Sequence, residues 1–239
     1  LLAARQVAEA VGVAGQRAFL SRIGLLARLE TELPETATPV QPRQWQAVHS
    51  VTASFGHGVA TTPLQTAAAG AALMNGGYLV RPTFLARSRA EAEAVRVPVV
   101  SSRTSDEMRY LFRLNGEQGS GKSARVEGFD VGGKTGTAEK MIDGRYRADK
   151  RLNAYMAAFP MASPRYVVFV MIDEPQRAAG DPYATAGWNA APTTPPGSCS
   201  STGRGRCSRR SSSAGPARTD DHRSDYYSRR NHTHGYRCS

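Results

Sequence analysis

The chain has 239 residues, 40% of them hydrophobic, and a formal net charge of +11 at pH 7. This length and apolar content are enough for one sizeable folded domain, and they exclude a chain that is disordered throughout. No apolar run approaches the roughly 18 residues of a membrane span, and residues 1–4 are followed at once by Arg5. We therefore expect no signal peptide or membrane anchor in this sequence. Because it starts without Met and inside a predicted helix, we expect a further N-terminal portion of the protein to precede it.

The composition changes abruptly after Pro192. Residues 193–239 contain no Val, Ile, Leu, Met or Phe, carry nine Arg against three Asp, and include all three cysteines. They supply +6 of the net charge of +11, so the positive charge of the whole chain says little about what residues 1–192 bind. Such a segment cannot bury enough apolar surface to offset the entropy of ordering it, and we expect a disordered basic tail. Its composition, rich in Arg, Ser and Gly, is also typical of a GC-rich gene that is translated in a shifted reading frame. A frameshift is our hypothesis for the origin of this tail.

Helical periodicity dominates the first third of the chain. Apolar spacing predicts a helix over residues 2–11 that Gly12 stops, and a second one over residues 16–29. The prolines of residues 36–45 indicate an extended connector. Thr62, followed by proline and an Ala-rich run, predicts a capped helix that ends at Met74.

Strand patterns dominate the remainder. We predict short strands over residues 78–84 and 95–100, then a helix that begins near Ser105 and ends in the loop 116–123. Three β-rich runs follow, with an Asp-Gly hairpin signal at residues 143–144, and they predict an antiparallel meander. These runs are 126–138, 152–161 and 165–172, and a last helix is predicted over 183–191.

The sequence Lys134-Thr135-Gly136-Thr137 is the strongest candidate functional feature. A strand that presents an ammonium, two hydroxyls and a glycine can pair an acyl substrate along its edge and hold its carboxylate. A string of four residues is weak by itself, because a Gly-rich strand edge with an exposed lysine also fits it.

Two further segments and the immediate surroundings of the string give it context, in matching order and approximate spacing. They are residues 54–65 (Ser-Phe-Gly-His-Gly-Val-Ala-Thr-Thr-Pro-Leu-Gln), 73–77 (Leu-Met-Asn-Gly-Gly) and 132–138 (Gly-Gly-Lys-Thr-Gly-Thr-Ala). Together they resemble successive landmarks of the class B penicillin-binding proteins. Residues 28–34 are similar to the division-type branch, the septal transpeptidases. The resemblance covers residues 1–192, which would be the C-terminal portion of the transpeptidase domain, and not the tail.

This resemblance implies an α/β (α+β) fold of the penicillin-binding transpeptidase and β-lactamase-like type, here incomplete, with an antiparallel sheet flanked by helices. It implies a serine-type D,D-transpeptidase that cross-links peptidoglycan, binds a stem peptide or a β-lactam, and needs no cofactor or metal. Lys134 would orient the proton network and the substrate carboxylate, and the Thr137 backbone N–H would be an oxyanion donor. Thr135, Gly136 and Thr137 would bind substrate. The full-length protein would act with division proteins at the periplasmic face of the inner membrane.

The chain departs from the family pattern at the nucleophile. The family carries its reactive serine in Ser-X-X-Lys, followed by Ser-X-Asn, and neither pattern occurs in these 239 residues. Ser120 precedes Lys122 by only two positions. We therefore expect this chain to lack its nucleophile and to be inactive alone.

Other features of the sequence allow different interpretations. Residues 116–123 satisfy the phosphate-loop pattern G-x-x-x-x-G-K-S/T. A helix is predicted before them and a strand after them, which is the reverse of the strand-to-helix order that a phosphate loop needs.

His57 lies between two glycines, and no Ser or Cys with a recognised spacing for nucleophilic catalysis is near it in the sequence. This favours a structural or substrate-groove role for His57. A noncatalytic module with a basic tail, acting as a scaffold or as a nonspecific nucleic-acid binder, is the alternative function.

Overall fold

The computed structural model describes residues 2–177, 184–193 and 233–237. Its helices are α1 (Leu2–Arg22), α2 (Ala47–Ala53), α3 (Pro63–Met74), α4 (Arg89–Ala94) and α5 (Ser102–Gln118), with a short 3-10 helix at Lys122–Ala124. Its strands are β1 (Tyr78–Leu79), β2 (Val97–Pro98), β3 (Gly132–Ile142), β4 (Arg145–Phe159), β5 (Tyr166–Asp173) and β6 (Thr233–Arg237). None of the helices in these ranges is long and apolar enough to cross a membrane.

The helix α3 forms as its sequence predicts. The Thr62 hydroxyl accepts a hydrogen bond from the Gln65 amide, Pro63 occupies the first turn, and the helix ends at Met74. The Gln65 side chain is buried and donates to the carbonyls of Gly24 and Ala27, at 3.2 and 2.7 Å. This capping box therefore also ties α3 to the turn after α1.

The N-terminal helices depart from the prediction in their bounds. Helix α1 runs through Gly12, which has a positive φ of 72° and separates two helical pieces. The second piece ends at Arg22 and not at residue 29, because the chain turns at Gly24, where φ is 87°, and buries Ile23. The short helices α2 and α4 were not predicted, since neither has enough turns to show a periodic apolar face.

The main sheet is the antiparallel meander that the sequence predicts. Its strand order is β3-β4-β5-β6, and every neighbouring pair is antiparallel. The β3–β4 hairpin turns at Asp143 and Gly144, both with positive φ (51° and 74°), as the Asp-Gly signal indicates. A bulge interrupts the register between Glu139 and Lys140.

The core lies on both faces of this sheet. One face packs against α3 and α5 and buries Met74, Phe112, Ala158 and Val167. The opposite face packs against residues 184–193 and the 3-10 helix, and its buried cluster contains Ala124, Val131, Tyr155, Ala157, Val170, Ala186, Ala190 and Ala191. The sheet is therefore the middle one of three layers, an α/β arrangement with an antiparallel sheet, as predicted.

Several predicted elements differ from the structure. Strands were predicted over 78–84 and 95–100, but only two residues of each range are in strands, which pair with each other as β1 and β2. Residues 184–193 form turns where a helix was predicted over 183–191, and residue 183 lies outside the described residues. Helix α5 starts earlier and continues to Gln118, into the predicted loop 116–123.

The tail contributes one strand to the sheet. No stable structure was predicted for residues 193–239, yet Thr233–Arg237 pairs with β5 as strand β6. Backbone pairing does not depend on the apolar side chains that this segment lacks. The rest of the tail beyond residue 193, which is 194–232 and 238–239, lies outside the described residues.

Candidate active site

Two buried glycines lead into the Lys134-Thr135-Gly136-Thr137 segment of β3. A Cβ atom on Gly132 would lie 2.8 Å from the backbone of Phe112 in α5. One on Gly133 would lie 2.4 Å from the Met156 carbonyl oxygen and 2.5 Å from the Tyr155 ring. Because real Cβ contacts are never this short, the glycines allow α5 and β4 to pack closely just before Lys134.

Lys134 and Gly136 share one face of β3. Lys134 is exposed, and its Nζ donates to the carbonyl oxygen of Thr135 at 2.6 Å. Gly136 is exposed, and a Cβ there would lie 4.0 Å from its nearest neighbours, both atoms of Ala154. Packing therefore gives no reason for glycine at position 136, which leaves space above the strand.

Thr135 and Thr137 lie on the opposite face, since side chains alternate along a strand. The Thr135 hydroxyl is 2.7 Å from the hydroxyl of Ser120. The Thr137 hydroxyl accepts a hydrogen bond from the Ala186 amide at 3.2 Å. The four predicted site residues are thus consecutive on one strand, but the lysine and the two hydroxyls are presented on different faces.

A polar network that the sequence did not indicate supports the start of this segment. The Asn115 side chain, near the end of α5, donates to the Gly133 carbonyl at 2.7 Å and accepts from the Ser120 amide at 3.2 Å. Ser120 in turn contacts Thr135. Asn115 and Ser120 thus join α5, the loop that follows it and β3. They are far from Thr135 in sequence, and no local pattern marks them.

The phosphate-loop pattern at 116–123 does not form a phosphate-binding loop. Helix α5 leads into it and a 3-10 turn leads out. Its amides are already paired, because those of Gly119 and Gly121 donate to the Asn115 carbonyl and that of Lys122 donates to Gly119. A phosphate loop instead points several free N–H groups at its ligand.

Two buried polar residues of β4 lie beneath the Thr135 and Thr137 face. Asn153 is fully buried, and its Nδ2 donates to the Ala184 carbonyl and to Asn189 Oδ1, both at 3.0 Å. Tyr155 is also fully buried, its hydroxyl has no hydrogen-bond partner in the described residues, and burial raises its pKa to about 12. Asn153 therefore holds residues 184–193 against β4, while Tyr155 fills the space under the Gly133 backbone.

His57 lies in an aromatic cluster. Its half-buried ring is 5.4 Å from the Phe55 ring and 5.1 Å from the Tyr146 ring, the latter edge-on. These contacts connect the segment after α2 to the β3–β4 hairpin. In the described part of the chain, no group of three His, Cys, Asp or Glu side chains is placed to hold a metal ion.

The comparisons with known proteins agree with this geometry. The antiparallel sheet has α-helices on one face, turns and a 3-10 helix on the other, and Lys-Thr-Gly on its first long strand, which is typical of a transpeptidase-like α/β domain. Residues 2–191 match the family model for the penicillin binding protein transpeptidase domain, and the chain belongs to this family. The resemblance found in the sequence is confirmed.

Individual relatives support this assignment. The chain is 39% identical over 198 residues to a probable peptidoglycan D,D-transpeptidase FtsI of Caulobacter vibrioides, covering 78% of this chain and 33% of that protein. It is 35% identical to the stage V sporulation protein D of Bacillus subtilis, over 54% of this chain and 21% of the relative. The chain therefore spans a third or less of these two relatives' length.

Solved structures show the same fold. The transpeptidase domain of penicillin-binding protein 3 from Burkholderia pseudomallei matches with a TM-score of 0.70 and 28% identity, covering 80% of this chain and 57% of that one. Penicillin-binding protein 3 from Mycobacterium tuberculosis, complexed with aztreonam, matches with a TM-score of 0.66 and 26% identity, over 79% and 46% of the two chains.

Proposed function

We propose that residues 1–192 are the C-terminal part of the transpeptidase domain of a division-type class B penicillin-binding protein, with residues 193–239 as an appended tail. The observation that carries this proposal is the position of Lys134–Thr137 on β3, in a chain that belongs to the transpeptidase family. Among the described residues, β4 is the sole strand partner of β3. The whole protein is then a serine-type peptidoglycan D,D-transpeptidase.

The free edge of β3 suits an extended peptide substrate. A stem peptide can add as a strand and take its affinity from main-chain hydrogen bonds. Lys134 has three donor hydrogens, of which one goes to the Thr135 carbonyl, so two remain for a substrate carboxylate. Gly136 adds no bulk where the peptide would lie.

The two threonine hydroxyls can complete the carboxylate site. Thr137 accepts from the Ala186 amide, so the hydrogen of its own hydroxyl stays available to donate. Thr135 shares its hydrogen bond with Ser120, which holds it near the same edge. Because both faces meet at the strand edge, we propose that a carboxylate seated there is bound by lysine and threonine together. The Thr137 backbone N–H is our candidate oxyanion donor.

The reaction is acyl transfer. A serine oxygen attacks the carbonyl of a terminal D-alanyl-D-alanine, the serine proton passes to the departing amine, and D-alanine leaves. The amine of a neighbouring stem peptide then attacks the acyl carbon, the ester bond to the serine breaks as the new amide bond forms, and the amine proton passes to the serine oxygen. A β-lactam mimics the first step, and its opened ring stays attached. No Ser-X-X-Lys occurs in the sequence, so we propose that this serine belongs to a segment outside residues 1–239.

We place the whole protein at the periplasmic face of the inner membrane, in contact with division proteins. The support is the proposed substrate, which lies outside that membrane, and the relationship to proteins named peptidoglycan D,D-transpeptidases. The site as proposed requires no cofactor.

Incubation of the full chain with a fluorescent penicillin tests the assignment of the missing nucleophile. We expect no stoichiometric covalent label on a denaturing gel or by intact mass, because an acyl-enzyme requires an activated serine facing the oxyanion donors. A specific adduct on any serine of residues 1–192 would contradict the proposal.

The site itself is tested after the genomic sequence upstream of Leu1 has been joined to the chain. We expect that sequence to contain Ser-X-X-Lys and then Ser-X-Asn, and the joined protein to be labelled. Lys134→Ala should then slow acylation on the order of 100-fold. Lys122→Ala, which changes an exposed lysine of the neighbouring 3-10 helix, is the matched control and should leave the rate unchanged. Equal rates for the two variants would refute the role of Lys134.

A further inference from the structure

The orientation of the Asn115 side chain is fixed by its hydrogen-bond partners. Its Nδ2 lies 2.7 Å from the carbonyl oxygen of Gly133, which can only accept a hydrogen bond. Its Oδ1 therefore faces Ser120, where it accepts from the backbone N–H at 3.2 Å and lies 3.3 Å from the hydroxyl oxygen. Asn115 Oδ1 can thus accept a hydrogen bond from the Ser120 hydroxyl, but it cannot donate one.

The backbone around Ser120 is held from both sides, although the residue itself is exposed. A Cβ atom on Gly119 would collide with Asn115 Oδ1, and one on Gly121 would lie 2.7 Å from the Tyr155 hydroxyl. Because a side chain at either position would meet these atoms, the loop packs directly on α5 and β4. This packing fixes the point from which the Ser120 hydroxyl reaches its partners.

The hydroxyls of Ser120 and Thr135 share one hydrogen bond of 2.7 Å that can run in either direction. In one direction Thr135 donates to Ser120, and Ser120 donates to Asn115 Oδ1. The Thr135 hydrogen is then not available to a substrate. In the other direction Ser120 donates to Thr135, which leaves the Thr135 hydrogen for an acceptor at the strand edge. Both arrangements use both hydroxyl hydrogens, and rotation of the two hydroxyls exchanges them.

A carboxylate at the strand edge favours the second direction. An ionised acceptor forms a stronger hydrogen bond than a neutral amide oxygen does. The contact that is given up, from Ser120 to Asn115, is also long, at 3.3 Å. A hydroxyl that accepts one hydrogen bond is polarised and donates the next one more strongly. Ser120 therefore strengthens the hydrogen bond that Thr135 makes to a carboxylate.

We propose that Ser120 is a positioning residue for the substrate carboxylate, and that Asn115, Ser120 and Thr135 form a relay whose direction reverses when the carboxylate binds. Asn115 accepts the hydrogen bond of the resting direction, and Ser120 supplies the one that turns the Thr135 hydroxyl toward the substrate. Neither Asn115 nor Ser120 needs to contact the substrate. This inference rests on the carboxylate site proposed above, and it adds the residues that orient one of its donors.

Nuclear magnetic resonance of the full chain, titrated with N-acetyl-D-alanyl-D-alanine under reducing conditions, tests the relay. Binding should shift the side-chain amide signals of Asn115, because Oδ1 loses the hydrogen bond from the Ser120 hydroxyl. Ser120→Ala should weaken binding of this peptide roughly three- to tenfold and should show no such shift at saturation. Ser120→Thr keeps the hydroxyl and should restore both the affinity and the shift.

Ser123→Ala is the matched control, because the Ser123 hydroxyl donates to the Gly187 carbonyl and not to Thr135. It should bind the peptide like the unmodified chain. An unmodified chain that binds the peptide without a shift of the Asn115 signals overturns the relay, whether or not the variants fold. Full affinity in Ser120→Ala also overturns it. If the unmodified chain binds no peptide, the carboxylate site of the proposed function is wrong and this inference fails with it.

Discussion

Glycine occurs at three positions near the start of β3 for two different reasons. At Gly132 and Gly133 a side chain would collide with α5 or β4, so packing requires glycine. At Gly136 the nearest atoms are 4.0 Å from a Cβ position, and no collision results. This difference distinguishes the two glycines that packing requires from Gly136, which packing does not require.

We predict that Gly133→Ala lowers the free energy of unfolding by about 2 kcal/mol, since the added methyl would have to displace the Met156 carbonyl and the Tyr155 ring. Gly136→Ala, on the same strand, should change it by less than about 0.5 kcal/mol. Urea denaturation of both variants measures the difference. Equal destabilisation by the two substitutions would show that the close packing around Gly133 is not the cause.

The buried Tyr155 hydroxyl gives the fold a dependence on alkaline pH. Its pKa is raised to about 12 by burial, whereas an unfolded tyrosine titrates near 10. The stabilising contribution of its neutral form is therefore complete below pH 10. It is lost between pH 10 and 12, because only the unfolded state releases the proton in that range.

Tyr155→Phe should remove this part of the pH dependence. Between pH 10 and 12 the free energy of unfolding of the unmodified chain should fall by about 2 to 3 kcal/mol more than that of the variant. This is the change that proton release by the unfolded state alone produces over two pH units. Tyr110→Phe, at an exposed tyrosine, is the control and should follow the unmodified chain. Urea titrations at several pH values provide the measurement, and parallel curves for all three proteins would contradict the assignment.

At the scale of elements, α3 and α4 carry the same capping box in different surroundings. Thr62 and Gln65 begin α3, which is mostly buried, while Ser88 and Glu91 begin α4, which buries little more than Ala92. A cap affects global stability only where its helix is part of the cooperative core.

Thr62→Ala should therefore reduce the free energy of unfolding by about 1 kcal/mol or slightly more, because it leaves the backbone N–H of Gln65 without its capping partner. The side chain of the same residue joins α3 to the turn after α1, so this cap lies at a contact between elements. Ser88→Ala should loosen only α4, with a smaller global effect. Thermal unfolding combined with hydrogen exchange of the two helices distinguishes these outcomes. A larger global loss from Ser88→Ala would place α4 in the cooperative core.

At the scale of the whole molecule, positive charge is concentrated in the tail. Residues 193–239 contribute +6 of the net +11, in less than a fifth of the chain. Electrostatic binding to nucleic acid, which the alternative function requires, should therefore follow the tail arginines and fall steeply with salt.

Replacement of the eight tail arginines other than Arg237 by glutamine should abolish retention on immobilised DNA at moderate salt. Replacement of the same eight by lysine keeps the charge and should preserve retention, and both variants keep β6 intact. Elution across a salt gradient is the readout. DNA binding that survives the glutamine replacement would place the nucleic-acid surface on residues 1–192 and favour the alternative function.

Local signals explain which parts of the fold could be predicted. Helix α3 and the turn of the β3–β4 hairpin were predicted well, because a Thr-Pro cap, an apolar run and an Asp-Gly turn act within a few residues. The bounds of the two strands were wrong, since the runs predicted over 126–138 and 152–161 are strands over 132–142 and 145–159. The Lys134–Thr137 segment was also recognisable, since its residues are consecutive. Helices α2 and α4 were missed because they are too short to show a period.

What the sequence by itself determined is the family, the antiparallel meander and the strand that carries the candidate site. Only the tertiary structure decided that Asn115 and Ser120 support that strand. It also decided that Gly133 packs closely against Tyr155, whereas a side chain at Gly136 would meet no atom closer than 4.0 Å. The structure also assigned Thr233–Arg237 to the β5 edge against its composition. These features rest on backbone groups and on contacts between residues distant in sequence, which leave no periodic trace in the chain.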